Sequence, residues 1–244
     1  MSLKPGWNLV TNPLNEDTGF ERVQVVKSSF SPVPWNDAVG TDVGAQIFQF
    51  VPGPNDPASG APETGSYVSV TNFQKGKATF VRVLAPEGVT LLFTPSTMAA
   101  KPGRTQIYTG WRVMGTLANG ATKSAAVFGQ TTTATNNFDN REDSPLPPLY
   151  VNGLRATVVA SSMYLYRDVR PLGSAQTYRV RFDGLKTGQT YTVTFTKDFG
   201  TPPSFVLKDT VSLKTQQMSV GQSYSFVARS TAHQLDLVVA AGSK

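Results

Sequence analysis

The sequence predicts an all-β protein built as an antiparallel β-sandwich or barrel. In several segments apolar side chains alternate with polar ones, the period of two that a half-buried strand shows. Turn residues rich in Gly, Pro and Asn recur at intervals of about 8–12 residues. No stretch has the 3.6-residue period of an amphipathic helix. Charged residues make up only 16% of the chain, and the Ser, Thr and Gly that replace them favour strands and turns over helices.

Two signals mark individual strands most clearly. The segment Gln189–Lys197 alternates without a break, with threonines on one side and large apolar side chains on the other. The dipeptide Asn119-Gly120 is the strongest short-hairpin signal, because both residues accept the positive φ angles of a tight turn. By the same criteria, further strands are expected, in chain order, at Glu21–Lys27, Gly44–Val51, Ser66–Thr71, Ala78–Leu84, Val89–Thr94, Thr105–Leu117, Lys123–Phe128, Ser204–Lys208, Thr210–Leu213, Ser223–Ala228 and Gln234–Ala240.

The stretch Leu154–Asp183 predicts a long hairpin at the centre of the fold. Its first part, as far as Tyr166, is mostly β-branched, aromatic or small and indicates one long strand. Turn chemistry follows at Arg170–Gly173. In the return strand, apolar and polar residues alternate, so Arg179 and Arg181 are expected on the solvent-exposed face.

We expect one domain preceded by an arm. Residues 1–40 contain prolines at positions 5, 13, 32 and 34, which interrupt regular elements and predict an irregular N-terminal arm. Residues 41–244 are then a single β-domain, long enough to bury a sizeable core. Two segments without periodicity, 54–65 and 129–148, are expected as loops.

The lack of cysteine, the single histidine and the lack of known motifs exclude several kinds of site. Without cysteine there are neither disulfides nor thiolate metal sites, and a single histidine excludes a histidine-rich metal site. That residue, His233, has no acidic neighbour in a motif and is expected to be structural or surface-exposed. No nucleophile elbow, phosphate-binding loop or dinucleotide fingerprint is present. No apolar run reaches the ~20 residues of a membrane helix, so no membrane segment is expected.

One acidic cluster offers oxygen ligands for a cation. Asp139, Glu142 and Asp143 lie close together in the polar segment 129–148. Hard oxygen ligands on a loop suit Ca²⁺, although the spacing does not match an EF-hand. The cluster predicts either an ordinary solvated loop or a site for a divalent ion such as Ca²⁺ at the interface between subunits.

The charge of the chain suggests contact with polyanions. The formal net charge is +6, and it is uneven, because residues 1–65 carry three basic and seven acidic side chains. A basic excess attracts polyanions, although no basic residues form a run here. Arg179 and Arg181 are therefore candidate contacts to the phosphates of a nucleic acid. Their aromatic neighbours fall on the opposite face of the strand, so base stacking is not expected there.

Several segments match, in order, the pattern of one protein family. The strand Arg155–Tyr166 has the form R-x-x-x-V-x-x-[SG] followed by apolar residues and Tyr, and a Pro-Leu-Gly loop and return strand follow at 169–182. Upstream, Asn12-Pro13-Leu14 with Arg22-Val23 precedes Ala45–Pro54, which ends in Pro-Gly-Pro. Together these segments resemble the single jelly-roll capsid proteins of small icosahedral viruses of the nodavirus and tombusvirus-like group.

The resemblance implies both a fold and a function. The fold is an antiparallel jelly-roll sandwich of the capsid shell type. The function is that of a coat protein without catalytic activity, which assembles with copies of itself in the host cell and encloses an RNA or DNA genome in the virion. The chain departs from the family at its start, where an arginine-rich arm is usual and only Lys4 is basic among the first 20 residues.

Two other functions are compatible with a large β-scaffold. A carbohydrate-binding or adhesive β-sandwich module would bind glycans through an exposed aromatic side chain such as Trp35 or Trp111. A β-fold hydrolase would use two carboxylates that are distant in sequence and about 5–9 Å apart in a cleft.

Overall fold

The computed structural model describes residues 1–28, 30–53, 65–100, 103, 109–120, 122–148 and 153–242. Over these residues the protein is nearly all β, with antiparallel sheets. The predicted all-β class is therefore confirmed, and a sheet that curls into a half-barrel is consistent with a sandwich of the jelly-roll type. The chain folds as two compact units, one from residues 1–50, 67–107 and 139–148 and the other from residues 51–66, 108–138 and 149–244.

Helical structure is confined to a 3₁₀ turn at Phe20–Arg22 and the four-residue helix α1 at Trp35–Ala38 within the described ranges. None of the helices described has the length and apolar character needed to cross a membrane. The strands, in chain order, are β1 (Ser2–Leu3), β2 (Gly6–Thr11), β3 (Thr18–Gly19), β4 (Val23–Val26), β5 (Val33–Pro34), β6 (Val43–Pro52), β7 (Gly65–Val70), β8 (Asn72–Phe73), β9 (Ala78–Val83), β10 (Val89–Phe93), β11 (Gly110–Asn119), β12 (Thr122–Thr131), β13 (Ser144–Pro145), β14 (Arg155–Ala160), β15 (Met163–Pro171), β16 (Gln176–Asp183), β17 (Thr190–Gly200), β18 (Phe205–Asp209), β19 (Thr215–Met218), β20 (Ser223–Val227) and β21 (Ala232–Val239).

The first unit is built from short sheets around an aromatic cluster. One sheet has the order β1-β10-β4-β5, a second has the order β2-β9-β6-β7, and β3 pairs with β8. Trp35, which begins α1, is 2% exposed and stacks on Phe20 with ring centroids 5.1 Å apart. Phe73 meets the Trp35 ring edge to face at 5.6 Å. Burial of these large rings holds the N-terminal segment against β8.

Residues 1–40 do not form the irregular arm that their prolines predict. Strand β2 pairs with β9 along its whole length, from Gly6↔Val83 to Thr11↔Ala78. The prolines lie between or at the ends of the short strands, where they remove no hydrogen bond from the middle of a ladder. Apart from β5, which pairs with β4, the partner strands of this segment lie at residues 72–93, so the pairing is not visible in the local sequence.

The second unit is organised around one long sheet. Its strand order is β19-β18-β21-β16-β14-β15-β12-β11-β17-β20. Strands β12 and β15 run parallel, from Val127↔Arg167 to Thr131↔Pro171. The other neighbours on this path with a described register are antiparallel.

The sheet of the second unit curls so that its inner side encloses one core. Phe128 on β12 contacts Tyr178 on β16 and Phe195 on β17, with ring centroids 5.1 Å and 6.5 Å apart. Phe182 on β16 stacks on Phe226 of β20 at 5.9 Å, which joins strands that are far apart in the strand order. The core therefore holds both halves of the sheet together.

The central stretch does not form the long hairpin predicted for it. Strand β14 ends at Ala160, the chain reverses at Ser161-Ser162, and β15 pairs back on β14 from Ala160↔Met163 to Val158↔Leu165. Strand β14 then lies between β15 and β16, so the two strands of the predicted hairpin are not neighbours. Ser161 adopts φ 55°, a left-handed conformation without the usual glycine or asparagine signal.

Other local predictions differ in their outcomes. The Asn119-Gly120 hairpin is confirmed, because β11 and β12 pair as far as Asn119↔Thr122 and Gly120 has φ 57°. The alternation of segment 189–197 is also confirmed. The strand predicted at Thr210–Leu213 is wrong, since these residues form the turn that precedes β19. Most of the predicted loop 54–65 and the start of the predicted strand Thr105–Leu117 lie outside the described residues.

Candidate interaction surface

One outer side of the second unit carries a group of arginines. Residues paired across neighbouring strands point to the same side of a sheet. One such row runs across five strands through the pairs Tyr164↔Val159, Val159↔Arg179, Arg179↔Asp236 and Asp236↔Lys208. The next positions along these strands add further charged residues to the same side. We call this side the arginine face, defined by Arg155, Tyr164, Arg179, Arg181, Asp183, Lys208 and Asp236.

Two arginines of this face share one carboxylate. Arg155 donates from Nη2 to Asp183 Oδ2 at 3.3 Å, and Arg181 donates from Nε to Asp183 Oδ1 at 2.9 Å. Side-chain exposure is 28% for Arg155, 38% for Arg181 and 20% for Asp183. Because two guanidinium groups face a single carboxylate, this part of the surface keeps an excess of positive charge.

Arg179 is the most exposed of the three arginines. Its side chain is 57% exposed, and its ion pair with Asp236 spans 3.9 Å between Nε and Oδ1, beyond hydrogen-bond distance. The outward orientation predicted for Arg179 and Arg181 is confirmed by the burial of β16, where Tyr178 and Phe182 face the core. Contact of the two arginines with nucleic acid stays a prediction.

Sequence reasoning missed an exposed aromatic ring at this face. Tyr164 is 47% exposed, and the guanidinium carbon of Arg155 lies 5.5 Å from its ring centroid. A cation over an aromatic face is attracted by the ring quadrupole, so the two side chains orient each other. The signal that places Tyr164 beside the arginines is the β14–β15 register, which follows from the serine turn that the sequence did not reveal.

The opposite end of the strand order presents a very different surface. Strands β11, β17 and β20 are neighbours, with Thr116 opposite Thr194 and Thr194 opposite Ser223. In the middle of these strands the outward positions are uncharged, and most of them are Thr, Ser or Ala. We call this side the hydroxyl face, defined by Met114, Thr116, Ala118, Thr192, Thr194, Thr196, Ser223 and Ser225.

Several hydroxyl groups of this face form hydrogen bonds within the sheet. Thr192 Oγ1 lies 2.9 Å from Ser225 Oγ, and Thr194 Oγ1 lies 2.9 Å from Ser223 Oγ. Thr196 donates to the backbone carbonyl of Met114 at 3.5 Å. With these hydrogen bonds made within the sheet, the face presents methyl groups and hydroxyls that already have a partner.

The one histidine belongs to a buried polar cluster. His233 lies on β21, is 3% exposed and stacks on Phe226 with ring centroids 3.8 Å apart. Its Nε2 atom is 3.0 Å from Asp209 Oδ1. Tyr224 donates to Asp209 Oδ2 at 2.7 Å, and the same carboxylate accepts from the backbone N–H of Ser212 at 3.0 Å. His233 is thus a structural residue of the core, which agrees with the sequence-based expectation.

The environment of this cluster shifts both titratable groups. Burial lowers the pKa of His233, and the Asp209 carboxylate opposes that shift. Burial acts to raise the pKa of Asp209, but hydrogen bonds from Ser212, Tyr224 and Val211 outweigh it and hold the pKa at about 2. At neutral pH the pair is therefore a neutral imidazole beside a carboxylate, a combination that fixes the turn after β18.

The acidic cluster of segment 129–148 caps its own turn. Asp139 Oδ1 accepts a hydrogen bond from the backbone N–H of Glu142 at 2.7 Å, and Asp143 Oδ2 accepts one from the N–H of Asp139 at 2.9 Å. Glu142 and Asp143 are 1% and 3% exposed. In the part of the chain that the structure describes, no group of three or more His, Cys, Asp or Glu residues could hold a metal ion. A divalent ion shared between subunits at these residues stays a prediction.

The two tryptophans predicted as glycan contacts are buried and therefore cannot contact a glycan. Trp35 and Trp111 are 2% and 5% exposed, and each packs into the core of its own unit. Tyr164, in contrast, is an exposed aromatic side chain beside a guanidinium group.

Comparison of the chain with known proteins finds no matching family model, curated protein or solved structure. The interpretation of the two outer faces therefore rests on their geometry and chemistry.

Proposed function

We propose that this chain is a structural coat protein, which assembles with copies of itself into an icosahedral shell around an RNA or DNA genome and acts in the virion without catalytic activity. The observation that carries the proposal is the arginine face. Arg155 and Arg181 share one carboxylate and Arg179 is 57% exposed, so this outer face of an all-β unit has positive charge available for phosphates.

The contacts of the buried polar groups also support a structural role. Asp209, His233 and Tyr224 contact one another inside the second unit, and Asp139 and Asp143 accept hydrogen bonds from backbone N–H groups of their own turn. These groups stabilise the fold locally. The arginine face, in contrast, has exposed charged side chains that can contact other molecules.

The proposal is tested by the particle state and by nucleic-acid binding together. Purified protein should sediment as large closed particles, and its affinity for single- and double-stranded nucleic acid should fall steeply between about 50 mM and about 500 mM salt. A species that stays monomeric across salt and pH, or binding to nucleic acid that does not depend on salt, would contradict the proposal.

A second candidate function is favoured by one observation on the same face. Tyr164 is 47% exposed and lies beside the Arg155 guanidinium, which also contacts the Asp183 carboxylate. In this arrangement a sugar ring can stack on Tyr164 while its hydroxyls meet charged groups. A carbohydrate-binding or adhesive module would then bind a glycan array saturably. Tyr164→Ala should abolish that binding, and binding that the Tyr164→Ala variant retains in full would exclude this site.

A further inference from the structure

We infer that Tyr164 is a base-stacking residue, through which the arginine face recognises unpaired nucleotides. The inference rests on the proposed function, because it names the part of a nucleic acid that this face reads in addition to the phosphates. It is drawn from the exposure of the ring, the charges beside it and their positions on the sheet.

The first observation is that the ring of Tyr164 is open to a ligand and already oriented. Tyr164 is 47% exposed, whereas Leu165 and Tyr166, which follow it on β15, are 1% and 5% exposed. The guanidinium carbon of Arg155 lies over the ring, 5.5 Å from its centroid, and Arg155 itself donates to Asp183 Oδ2 at 3.3 Å. A ring held in this way loses less side-chain entropy when a ligand stacks on it.

The second observation is the positive charge on the same side of the sheet. The arginine face has four basic and two acidic side chains and hence a net charge of +2. The side chains of Arg179 and Arg181 are 57% and 38% exposed. The aromatic side chains of β16 face the core, so the sequence predicts no stacking here, but β15 supplies a ring on the outer side. Proteins hold single strands with this combination, because bases stack on the ring while cations contact the phosphates.

The third observation is the spacing between the ring and the most exposed arginine. Tyr164 lies opposite Val159, and Val159 lies opposite Arg179, so the three residues form one row across the sheet. The backbones of β15 and β16 are therefore about 10 Å apart in this row, which is two strand spacings. The valine side chain between them is shorter than either neighbour and leaves room above it. A nucleotide has the matching layout, because its flat base and its phosphate lie on opposite sides of one sugar.

Base pairing decides whether the ring can contribute to binding. Inside a duplex both flat sides of each base are covered by the neighbouring base pairs, so Tyr164 cannot stack on them. The arginines contact phosphates, which single strands and duplexes both expose. Tyr164 should therefore add affinity for a single strand and none for a duplex.

The charges favour a nucleotide over a neutral sugar as the group that stacks on Tyr164. A neutral sugar ring can use the tyrosine, but it brings no anion to Arg179 or Arg181. A nucleotide uses the ring and the guanidinium groups together. A sulfated polysaccharide also carries anions, and it is therefore included as a competitor in the test.

The test compares three nucleic acids of equal length: a single-stranded oligonucleotide, the same strand with abasic sites in place of its nucleotides, and a duplex. The abasic strand keeps the phosphates and lacks the bases. Fluorescence anisotropy at low salt, and at protein concentrations below those at which particles form, measures the three affinities. We expect the wild-type protein to bind the normal strand about fivefold or more tightly than the abasic strand, and Tyr164→Ala to bind the two equally. Affinity for the duplex should be the same in both proteins.

Two control variants show whether the effect belongs to the ring at this position. Tyr164→Trp keeps an aromatic ring and should retain the difference between the two strands. Phe30 is 65% exposed with Lys27 Nζ 5.7 Å from its ring centroid, but it is not part of the arginine face, so Phe30→Ala should behave like the wild-type protein. Circular dichroism confirms that each variant is folded. A wild-type protein that binds both strands equally, or a Tyr164→Ala variant that keeps the full difference, would overturn the inference.

Sedimentation velocity on the same samples separates this inference from the proposed function. A wild-type protein that stays monomeric, but whose base-dependent binding is lost in Tyr164→Ala, would contradict the shell and support the stacking. Closed particles from a protein that binds both strands equally would support the shell and overturn the stacking. Binding to heparin that is lost in Tyr164→Ala, without any base-dependent binding of the oligonucleotides, would assign the ring to a sugar and overturn the inference.

Discussion

The arginine face and the hydroxyl face belong to the same sheet and cover the same core, yet their chemistry differs in nearly every respect. The inward residues below them are alike, with Tyr178 and Phe182 under the first face and Tyr191 and Phe195 under the second. Outward, one face presents arginines and carboxylates and the other presents paired hydroxyls. The core explains the fold, so the difference between the two outer faces points to what each of them contacts.

The shared core provides the largest expected effect. Phe128 contacts Tyr178 on the arginine side and Phe195 on the hydroxyl side, so Phe128→Ala should lower the free energy of unfolding by about 3–5 kcal/mol. Chemical denaturation with both tyrosine fluorescence and far-UV circular dichroism would measure it. Thr116→Ala, an outward change on β11, is the control and should stay within about 0.5 kcal/mol. Separate transitions for the two probes would show that the two sides do not share one cooperative core.

Acid should destabilise the second unit through the buried cluster of Asp209, Tyr224 and His233, which links β18 and β21 to β20. The folded-state pKa of Asp209 is about 2, below its ordinary value of 3.8, so this carboxylate contributes about 2 kcal/mol above pH 4. That contribution is lost as the pH falls from about 4 to about 2. The pKa of His233 is also lowered by folding. Below about pH 6.5 the imidazole is therefore protonated in the unfolded chain but still neutral in the folded one, so the free energy of unfolding decreases as the pH falls.

Denaturation at a series of pH values tests both parts of this prediction. His233→Gln should remove the loss of stability that begins near pH 6.5 and leave the loss below pH 4. Tyr224→Phe removes one hydrogen bond to Asp209 and should reduce the loss below pH 4. Wild-type stability that stays constant from about pH 7 to about pH 5 would contradict the assignment to His233.

Removing charge from the arginine face should weaken polyanion binding in a graded way. Arg179→Ala combined with Arg181→Ala should lower the affinity for a single-stranded oligonucleotide about tenfold at low salt and reduce the slope of log affinity against log salt by about 1–2. Fluorescence anisotropy across a salt series measures both quantities. Lys123→Ala removes a positive charge at the rim of the hydroxyl face and serves as the control. If the control had the same effect as the double variant, net charge alone would explain binding.

The smallest effect is expected on the hydroxyl face itself. Thr192→Val removes the pair with Ser225 on an outward position, so the free energy of unfolding should change by less than about 0.5 kcal/mol. Thermal unfolding of dilute protein, below the concentration at which copies associate, measures this change. A decrease in the free energy of unfolding of more than about 2 kcal/mol would show that the hydrogen bond between Thr192 and Ser225 is important for the stability of the sheet.

Local pattern was sufficient to predict the strand class and the direction of individual side chains. The alternation in segment 189–197 and the outward position of Arg179 follow from a period of two, which depends only on neighbours in sequence. The hairpin at Asn119-Gly120 was predictable for the same reason, because its turn chemistry is contained in two residues.

Pairing between distant strands was not predictable from those local signals. Residues 1–40 are predicted to be an arm because their prolines are visible in the sequence, whereas their partner strands at residues 72–93 are not. The turn at Ser161-Ser162 has no glycine or proline, so the sequence of β14 and β15 resembles that of one strand. The register that brings Tyr164 beside Arg155 was therefore hidden. The cluster of Asp209, Tyr224 and His233 was hidden for the same reason, because its three residues lie on three different strands, β18, β20 and β21.

Electron microscopy of the purified wild-type protein, matched by sedimentation velocity on the same sample, tests the central claim most directly. The account predicts closed particles of uniform size, in which the arginine face is available to nucleic acid. A protein that remains a monomer at every salt concentration and pH tested would contradict it.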